Sequence, residues 1–174
     1  MVKYCNGDLL ESGCDYICHQ VNCQGKMGSG IAKQIRNKWP IVYENYMAKC
    51  EAADEAAVNL YGQYEIAPSG SDILLGNIQI VGLWKDFYKD PVHQSIVNLF
   101  AQQYYGYDGK KYTSYDAFVH CLEQIRDTVP KDKRIGFPYK IGCDRGGANW
   151  NIIAAMIEEI LKEHKVEIWR LEHE

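Results

Sequence analysis

Residues 21–32 read Val-Asn-Cys-Gln-Gly-Lys-Met-Gly-Ser-Gly-Ile-Ala, between an apolar run that ends at Val21 and a helical pattern that begins at Ile31. Three glycines fall within six residues, where a buried strand is expected to stop and a helix to start. Such a turn lets backbone N–H groups converge, and the helix N-terminus behind it carries partial positive charge. The segment therefore predicts a phosphate site. The alternative is a tight crossover in which small residues serve packing alone.

The spacing of these glycines matches neither of two well-known phosphate loops. The Lys-Ser/Thr ending of a Walker loop is missing, and the glycines follow GxxGxG rather than GxGxxG. No acidic residue for a ribose follows an apolar strand at the distance expected of a nicotinamide-dependent enzyme. An oxidoreductase of that kind is therefore a weak alternative.

Length and charge limit the class of protein. A chain of 174 residues predicts one domain over residues 1–174. The net charge of -4 predicts no strong non-specific binding to nucleic acid, but it leaves a small phosphate ligand possible. No apolar run approaches the ~20 residues of a membrane span, so we expect no membrane association. We expect a monomer.

The cysteines predict reduced thiols rather than disulfides or a metal centre. There are seven, an odd number, with no CxxC pair and no signal peptide before them, which indicates a cytoplasmic protein. A metal site is one interpretation of the cluster formed by Cys14, Cys18, His19 and Cys23, but the ligands of zinc sites are usually spaced more closely in sequence. We expect no metal and no cofactor.

Strand and helix patterns alternate along the chain. This order predicts an α/β fold with a central mixed, largely parallel sheet and helices on both faces. The expected strands cover residues 2–6, 15–22, 62–67, 95–101, 134–138 and 166–171. Residues 73–84 form a further apolar stretch, and the strand at 95–101 lies within the segment 93–105. The expected helices cover residues 31–39, 40–50 with a possible extension to 60, 115–129 and 150–161.

A second glycine-rich segment, Gly142 to Gly147, also follows a strand and precedes a helix. In sheets of this kind ligands lie beyond the carboxyl ends of the strands. Both glycine-rich segments are therefore expected at the same edge of the sheet. Two backbone cradles that face each other suit a diphosphate better than a single phosphate.

Three blocks of sequence resemble a known family. They are Gly7-Asp8-Leu9-Leu10, the segment from Val21 to Ala32, and Pro138-Tyr139-Lys140-Ile141-Gly142-Cys143 through Trp150. In this order they resemble the macrodomains, over essentially the whole chain. The resemblance is strongest to the branch with the terminal ADP-ribose protein glycohydrolase and the antitoxins that remove ADP-ribose from DNA. It implies a three-layer α/β/α macrodomain fold and a pocket for ADP-ribose or an ADP-ribosylated substrate.

The resemblance also implies roles for individual residues. Asp8 would accept a hydrogen bond from the adenine amino group beside Leu9, and Asn22 would face the distal ribose. Both polar residues have an alternative role as turn caps. Phe100, Tyr104 and Tyr139 are candidates to pack on the adenine or a ribose, although core packing is as common a use of such rings. The remaining binding candidates are Gly28, Ser29, Gly30, Ile31, Gln102, Gly142, Cys143, Asp144, Arg145, Gly146 and Gly147.

The catalytic residues of that branch do not carry over. Gln102 stands at or next to the position of the lysine, and glutamine can neither form a Schiff base nor act as a base. The position of the aspartate in the second loop holds Gly146, with Asp144 two residues earlier. Relatives that are phosphatases often carry a histidine where Gln24 stands.

Two residues remain as catalytic candidates. Asp144 could act as a general base, with pairing to Arg145 or capping of the last helix as its alternative, and Asn22 could orient the substrate. Other residues considered are His19, expected to be buried and hydrogen-bonded, and His93, Lys110 and Lys111, expected in exposed loops.

Two functions are therefore expected. The first is hydrolysis of an ADP-ribose derivative, either an ADP-ribosyl linkage on protein or nucleic acid or ADP-ribose 1''-phosphate. The second is a non-catalytic binder, a reader or sequestering protein, for ADP-ribose or a related adenine-dinucleotide signal.

Overall fold

The computed structural model describes residues 2–61, 68–83 and 94–171. Its strands are β1 (Lys3–Asn6), β2 (Tyr16–Asn22), β3 (Ile78–Leu83), β4 (Gln94–Gln102), β5 (Arg134–Pro138) and β6 (Lys165–Arg170). Its helices are α1 (Gly30–Lys38), α2 (Pro40–Leu60), α3 (Gly70–Leu74), α4 (Tyr115–Thr128) and α5 (Trp150–Ile160). A short 3-10 turn spans Leu9–Glu11.

The strands form one sheet in the order β1-β6-β5-β2-β4-β3. Every neighbouring pair is parallel except β3 with β4, which is antiparallel. The prediction of a mixed, largely parallel sheet is therefore confirmed. β2 lies in the centre between β5 and β4, and its residues are mostly buried, which explains its run of apolar residues.

Helices cover both faces of the sheet and give three layers. On one face α1, α2 and α3 pack on alternate residues of the central strands, among them Ile17, Ile96 and Phe100. On the other face α4 and α5 pack on the residues between them, among them Cys18 and Val97. Alternation of side chains across each strand therefore builds two separate apolar cores.

The helices differ from the sequence-based expectation at three points. α2 continues through Leu60, since the Ala-rich segment extends the helix. α3 was not predicted, and it begins with a capping box in which Ser69 and Asp72 bond each other's backbone N–H groups. Residues 113–116, Thr-Ser-Tyr-Asp, resemble a capping box that begins at Thr113, but the cap lies one residue later, because Ser114 accepts from the N–H of Ala117.

Some predictions fall on residues that the structure does not describe. The strand predicted over 62–67, the end of the apolar stretch at Trp84, and His93 all lie outside the described residues. In the part of the chain that the structure describes, no helix has the length and apolar character needed to cross a membrane. Within the same residues, no group of three metal-ligating side chains is arranged to hold an ion.

The topology itself creates a crevice. β2 and β5 are parallel neighbours, with Tyr16 paired to Ile135. The helix after β2 joins the core on one face, whereas the helix after β5 joins the core on the other. The two connections therefore diverge at the carboxyl ends of adjacent strands, which is where open α/β sheets bind ligands.

Candidate functional site

A cleft of about 550 Å³ opens at this edge of the sheet. Residues of two segments line it: the first glycine loop, residues 23–29 between β2 and α1, and the second glycine loop, residues 139–149 between β5 and α5. The prediction that both glycine-rich segments meet at one edge is confirmed. The volume suits a ligand of nucleotide size.

The first glycine loop is held from below by Asn22 and Tyr46. The Asn22 side chain is 7% exposed; its Oδ1 accepts from the N–H of Gln24 at 2.9 Å, and its Nδ2 donates to Lys26 O at 2.7 Å. The hydroxyl of Tyr46, from α2, donates to Asn22 O at 2.7 Å and accepts from the N–H of Lys26 at 3.1 Å. Burial raises the pKa of Tyr46 well above its usual value, so it stays protonated. The loop is therefore fixed before any ligand arrives.

The N-terminus of α1 supplies free donors to the cleft. The first backbone hydrogen bond of this helix runs from Lys33 N–H to Ser29 O, so the N–H groups of Gly30, Ile31 and Ala32 donate to no described residue. All three residues line the cleft. Ser29 occupies the N-cap position, but its side chain makes no capping hydrogen bond. A Cβ at Gly28 or Gly30 would meet nothing within 4 Å, so the space above the loop is open.

The second glycine loop is close-packed instead. A Cβ at Gly146 would lie 2.3 Å from both Gly142 O and Thr113 Oγ1, and one at Gly142 would lie 2.6 Å from Gln20 Oε1. Gly142 also has φ +73°, a conformation that side chains disfavour. The N–H groups of Asp144, Arg145 and Gly146 donate to no described residue. This loop therefore presents a second row of backbone donors.

Asp8 lies at one end of the cleft, at the start of the 3-10 turn. Its Oδ1 accepts from Leu10 N–H at 2.8 Å, while its Oδ2 has no hydrogen-bond partner among the described residues. The indole of Trp169, at the end of β6, packs on Gly7 beside it, and its Nε1 donates to Glu167 at 3.0 Å. This end therefore combines an exposed carboxylate oxygen with a fixed aromatic wall.

The walls of the cleft carry more cations than carboxylates, although the whole chain is acidic. The cations are Lys26, Arg36, Lys140 and Arg145, and the carboxylates are Asp8 and Asp144. Each arginine is stacked on a tyrosine of the same cleft, Arg36 at 4.3 Å from the Tyr43 ring and Arg145 at 4.0 Å from the Tyr107 ring. This charge balance favours an anionic ligand.

The floor between the loops is a neutral network. Gln20 Nε2 donates to Gln102 Oε1 at 2.7 Å and to Thr113 Oγ1 at 2.8 Å. Gln102 Nε2 donates to Tyr104 O at 2.9 Å, and Thr113 Oγ1 donates to Gly142 O at 2.8 Å. The network has no ionisable member, so it offers amides and a hydroxyl but no nucleophilic amine.

No protein-family model matches this chain. Two curated relatives are similar in sequence. The ADP-ribose 1''-phosphate phosphatase of Scheffersomyces stipitis is 35% identical over 75 residues, which is 40% of this chain and 43% of that protein. The DNA ADP-ribosyl glycohydrolase of Thermus aquaticus is 24% identical over 170 residues, which is 97% of this chain and 40% of that protein. The chain spans less than half of the length of the curated relatives that it matches.

Solved structures are similar over almost the whole chain. The macrodomain of Mycobacterium tuberculosis DarG superposes with a TM-score of 0.69 at 19% identity and covers 97% of both chains. This chain has the macrodomain fold. Thermosipho africanus DarTG in complex with ADP-ribose has a TM-score of 0.71 at 17% identity, over 99% of this chain and 42% of that one. The fold expected from the three sequence blocks is therefore confirmed.

Most of the binding candidates line the cleft. The residues that do so are Asp8, Leu9, Asn22, Gly28, Ser29, Gly30, Ile31, Gln102, Tyr139, Gly142, Asp144, Arg145 and Gly146. The structure thus brings together residues from four separate parts of the sequence.

Four candidates lie elsewhere. Phe100 is 0% exposed and stacks on Tyr46 at 5.8 Å, because it points into the core beneath α2. Cys143 and Gly147 belong to the second loop but do not line the cleft. Tyr104 is exposed on the outer side of its segment. Phe100 and Tyr104 are replaced at the cleft by Tyr105, Tyr107 and Trp169.

The structure also decides between the alternatives for the ionisable residues. Asp144 neither pairs with Arg145 nor caps α5, since Asn149 caps that helix through the N–H of Asn151. His19 is fully buried and hydrogen-bonded to Asn98, as expected. Lys110 pairs with Asp108 at 3.0 Å and Lys111 lies over Tyr115. Asp144 is therefore left as an exposed carboxylate at the cleft.

Sequence reasoning missed Tyr46, Thr113 and Trp169. Trp169 had a usable signal, because it lies near the carboxyl end of the last strand, at the edge where ligands bind. Tyr46 and Thr113 had none, since each acts through hydrogen bonds to residues distant in the sequence.

Proposed function

We propose that this macrodomain binds ADP-ribose in the cleft. One observation carries the proposal: two loops whose backbone N–H groups donate to no described residue line the same cleft, together with the exposed carboxylate of Asp8. A diphosphate needs donors on both sides, and an adenine amino group needs an acceptor at one end. The complex of a structurally similar DarTG with ADP-ribose supports this choice.

The ligand is assigned to the cleft as follows. The adenine lies at the end formed by Asp8, Leu9 and Trp169. The diphosphate lies between the two glycine loops, and the distal ribose lies over Gln102 and Asp144. The exposed Oδ2 of Asp8 accepts from the adenine amino group, and the N-terminus of α1 stabilises the phosphates.

We further propose that the chain hydrolyses an ADP-ribose derivative. Asp144 is the general base that activates water, since its carboxylate is exposed, lines the cleft and has no hydrogen-bond or ion-pair partner among the described residues. Asn22 orients the substrate with the N–H hydrogen that its loop contacts leave available. Gln102 holds the distal ribose by hydrogen bonds and forms no covalent intermediate. Curated relatives of both hydrolytic kinds support this class.

A non-catalytic binder is the second candidate, and two observations favour it. The neutral network around Gln102 contains no base or nucleophile. A side chain at Gly146, where an aspartate is expected in related glycohydrolases, would collide with Gly142 O and Thr113 Oγ1. A chain of this kind would capture ADP-ribose, or a related adenine-dinucleotide signal, without cleaving it.

Calorimetry with ADP-ribose tests the binding proposal. We expect measurable affinity that Asp8→Ala lowers about tenfold, the worth of a hydrogen bond to a charged group. Adenosine and ribose 5-phosphate serve as partial ligands. An affinity for ADP-ribose weaker than about millimolar, only ~4 kcal/mol, would rule out both functions.

Turnover separates the two candidates. The wild-type protein and its Asp144→Asn variant are each incubated with mono-ADP-ribosylated protein, ADP-ribosylated DNA and ADP-ribose 1''-phosphate. Release of product by the wild type and loss of it in the variant support hydrolysis. Intact substrate in all three assays, with tight binding of ADP-ribose, supports the binder.

The proposal also covers the location of the protein, its oligomeric state and its binding of nucleic acid. We infer that the protein is a cytoplasmic monomer and that it binds nucleic acid only through an ADP-ribosyl group attached to that nucleic acid. Light scattering and a titration with unmodified DNA test the last two points.

A further inference from the structure

We propose that Thr113 is the positioning residue of the second glycine loop, which rests on the proposed binding of ADP-ribose by that loop. Thr113 does not line the cleft and is 2% exposed. It lies immediately before Ser114, the N-cap of α4. It therefore acts on the ligand only through the atoms that it holds.

The hydroxyl of Thr113 lies between the two close-packed glycines. It donates to Gly142 O at 2.8 Å, and the missing side chain of Gly146 leaves the space that it occupies. The lone pairs of the same hydroxyl accept from Gln20 Nε2 at 2.8 Å. A single buried hydroxyl therefore fixes both the position of the loop backbone at Gly142 and the orientation of the Gln20 amide.

The backbone next to Thr113 adds to this attachment. The N–H groups of Tyr112 and Thr113 both donate to Gly146 O at 2.9 Å. A Cβ at Gly147 would lie 3.1 Å from Lys110 O, so this backbone also packs closely on the loop. The second glycine loop is thereby joined to residues 110–113 along its length, with the hydroxyl as the only side-chain bond among these contacts.

The Gln20 amide extends the effect to the distal end of the cleft. Gln20 donates to Gln102 Oε1, and Gln102 lines the cleft where the distal ribose is assigned. Loss of the Thr113 hydroxyl frees both the Gly142 carbonyl and the Gln20 amide. The backbone N–H groups of the second glycine loop and the Gln102 amide would then no longer be held at fixed positions relative to each other. The adenine end of the cleft is formed by other elements and would not change.

This separation of effects gives the test. Thr113→Val keeps the size of the side chain and removes the hydroxyl, whereas Thr113→Ser keeps the hydroxyl. Ile157→Val, on the buried face of α5, is a matched control that removes one methylene group from the core at a residue outside both loops. Binding of ADP-ribose and of adenosine, which lacks the diphosphate and the distal ribose, is measured by titration for each protein.

We expect Thr113→Val to weaken ADP-ribose binding about tenfold and adenosine binding less than twofold, since both hydrogen bonds of the buried hydroxyl are lost at one end of the site. Thr113→Ser should stay within about twofold of the wild type for both ligands, and so should Ile157→Val. Equal loss of both ligands, or wild-type binding of ADP-ribose by Thr113→Val, would overturn the proposal.

Hydrogen exchange of the unliganded proteins gives a readout that needs no ligand. Amides of residues 142–148 should exchange faster in Thr113→Val than in Thr113→Ser, while those of residues 23–29 stay unchanged. If Thr113→Val does not fold, Thr113→Ala takes its place in both measurements. If the wild type fails to bind ADP-ribose, the proposed function fails, and the exchange experiment still decides whether Thr113 positions the loop. Unchanged exchange over 142–148 would contradict the inference in either case.

Discussion

The two glycine loops present similar rows of backbone donors to one cleft, but they are built in opposite ways. The first loop is held by polar side chains, Asn22 from its own strand and Tyr46 from α2, and the space above Gly28 and Gly30 is empty. The second loop is held by close contact between main-chain atoms, and its glycines face Gln20 and Thr113 rather than open space. The missing side chains of Gly28 and Gly30 therefore leave room for the ligand, whereas those of Gly142 and Gly146 leave room for the protein.

The comparison shows that equal glycine content does not mean equal tolerance to substitution. In the first loop the sensitive positions are the side-chain anchors, because they carry the hydrogen bonds that shape the loop. In the second loop the sensitive positions are the glycines, because a Cβ would displace the backbone. The predictions below test this difference in order of expected effect.

Gly146→Ala should have the largest effect, with Gly28→Ala as its counterpart in the first loop. The added Cβ at Gly146 overlaps Gly142 O and Thr113 Oγ1, so we expect a loss of about 3 kcal/mol in unfolding free energy, the cost of severe overpacking. ADP-ribose binding should fall at least about 100-fold. Gly28→Ala should lower binding but leave the unfolding free energy unchanged, as measured by urea titration. Equal stability losses in the two variants would refute the contrast.

Asn22→Ala should have the next largest effect. It removes the acceptor for Gln24 N–H and the donor to Lys26 O, both at a buried position. Unsatisfied buried groups of this kind cost about 2–3 kcal/mol in total. We expect thermal unfolding at lower temperature and faster amide exchange over residues 23–29. If exchange accelerates in the second loop instead, the side-chain anchoring of the first loop is wrong.

Acidification should weaken the protein at the strand below the first loop. Burial lowers the pKa of His19 from 6.5 to about 4. As the pH falls, the unfolded chain therefore binds a proton at this residue near pH 6.5, whereas the folded protein binds it only near pH 4. Stability therefore falls as the pH drops through this window, by about 2 kcal/mol between pH 7 and pH 5 for this group alone. Cys143 in the second loop adds nothing in this window, because its pKa, which burial raises to about 11, lies far above these pH values and the thiol is neutral in both the folded and the unfolded chain.

Urea unfolding of the wild type and of His19→Gln at both pH values measures this contribution. The variant should show a pH dependence that is smaller by the amount given. Identical slopes for the two proteins would mean that His19 is not the source of the acid sensitivity.

The rim arginines should give the smallest effect. Arg36 and Arg145 are exposed and stack on Tyr43 and Tyr107, on opposite sides of the cleft. Arg36→Gln and Arg145→Gln should each weaken ADP-ribose binding about two- to fivefold at low salt, with less effect at 0.5 M salt, since exposed charges are screened. A loss that is independent of salt would point to a direct, desolvated contact instead.

The sequence by itself determined the local elements and the position of both loops. Short β-prone segments, apolar in the case of β2, predicted β1, β2, β5 and β6 within one or two residues, and the glycines marked where two strands end. The carboxyl-end rule then placed both loops at one edge, because that rule depends only on strand direction. Asp8, Asn22 and Asp144 were proposed on another basis, the resemblance of three sequence blocks to the macrodomains.

Only the tertiary structure decided which side chains hold the loops and which face the ligand. Phe100 was expected at the cleft but lies in the core, since a strand residue points to one face or the other and the sequence does not say which face the ligand approaches. Tyr46 lies 24 residues from its partner Asn22, and Thr113 lies 93 residues from Gln20. Local periodicity contains no information on such pairs, because a hydrogen bond between distant residues depends on how helices and strands pack in three dimensions.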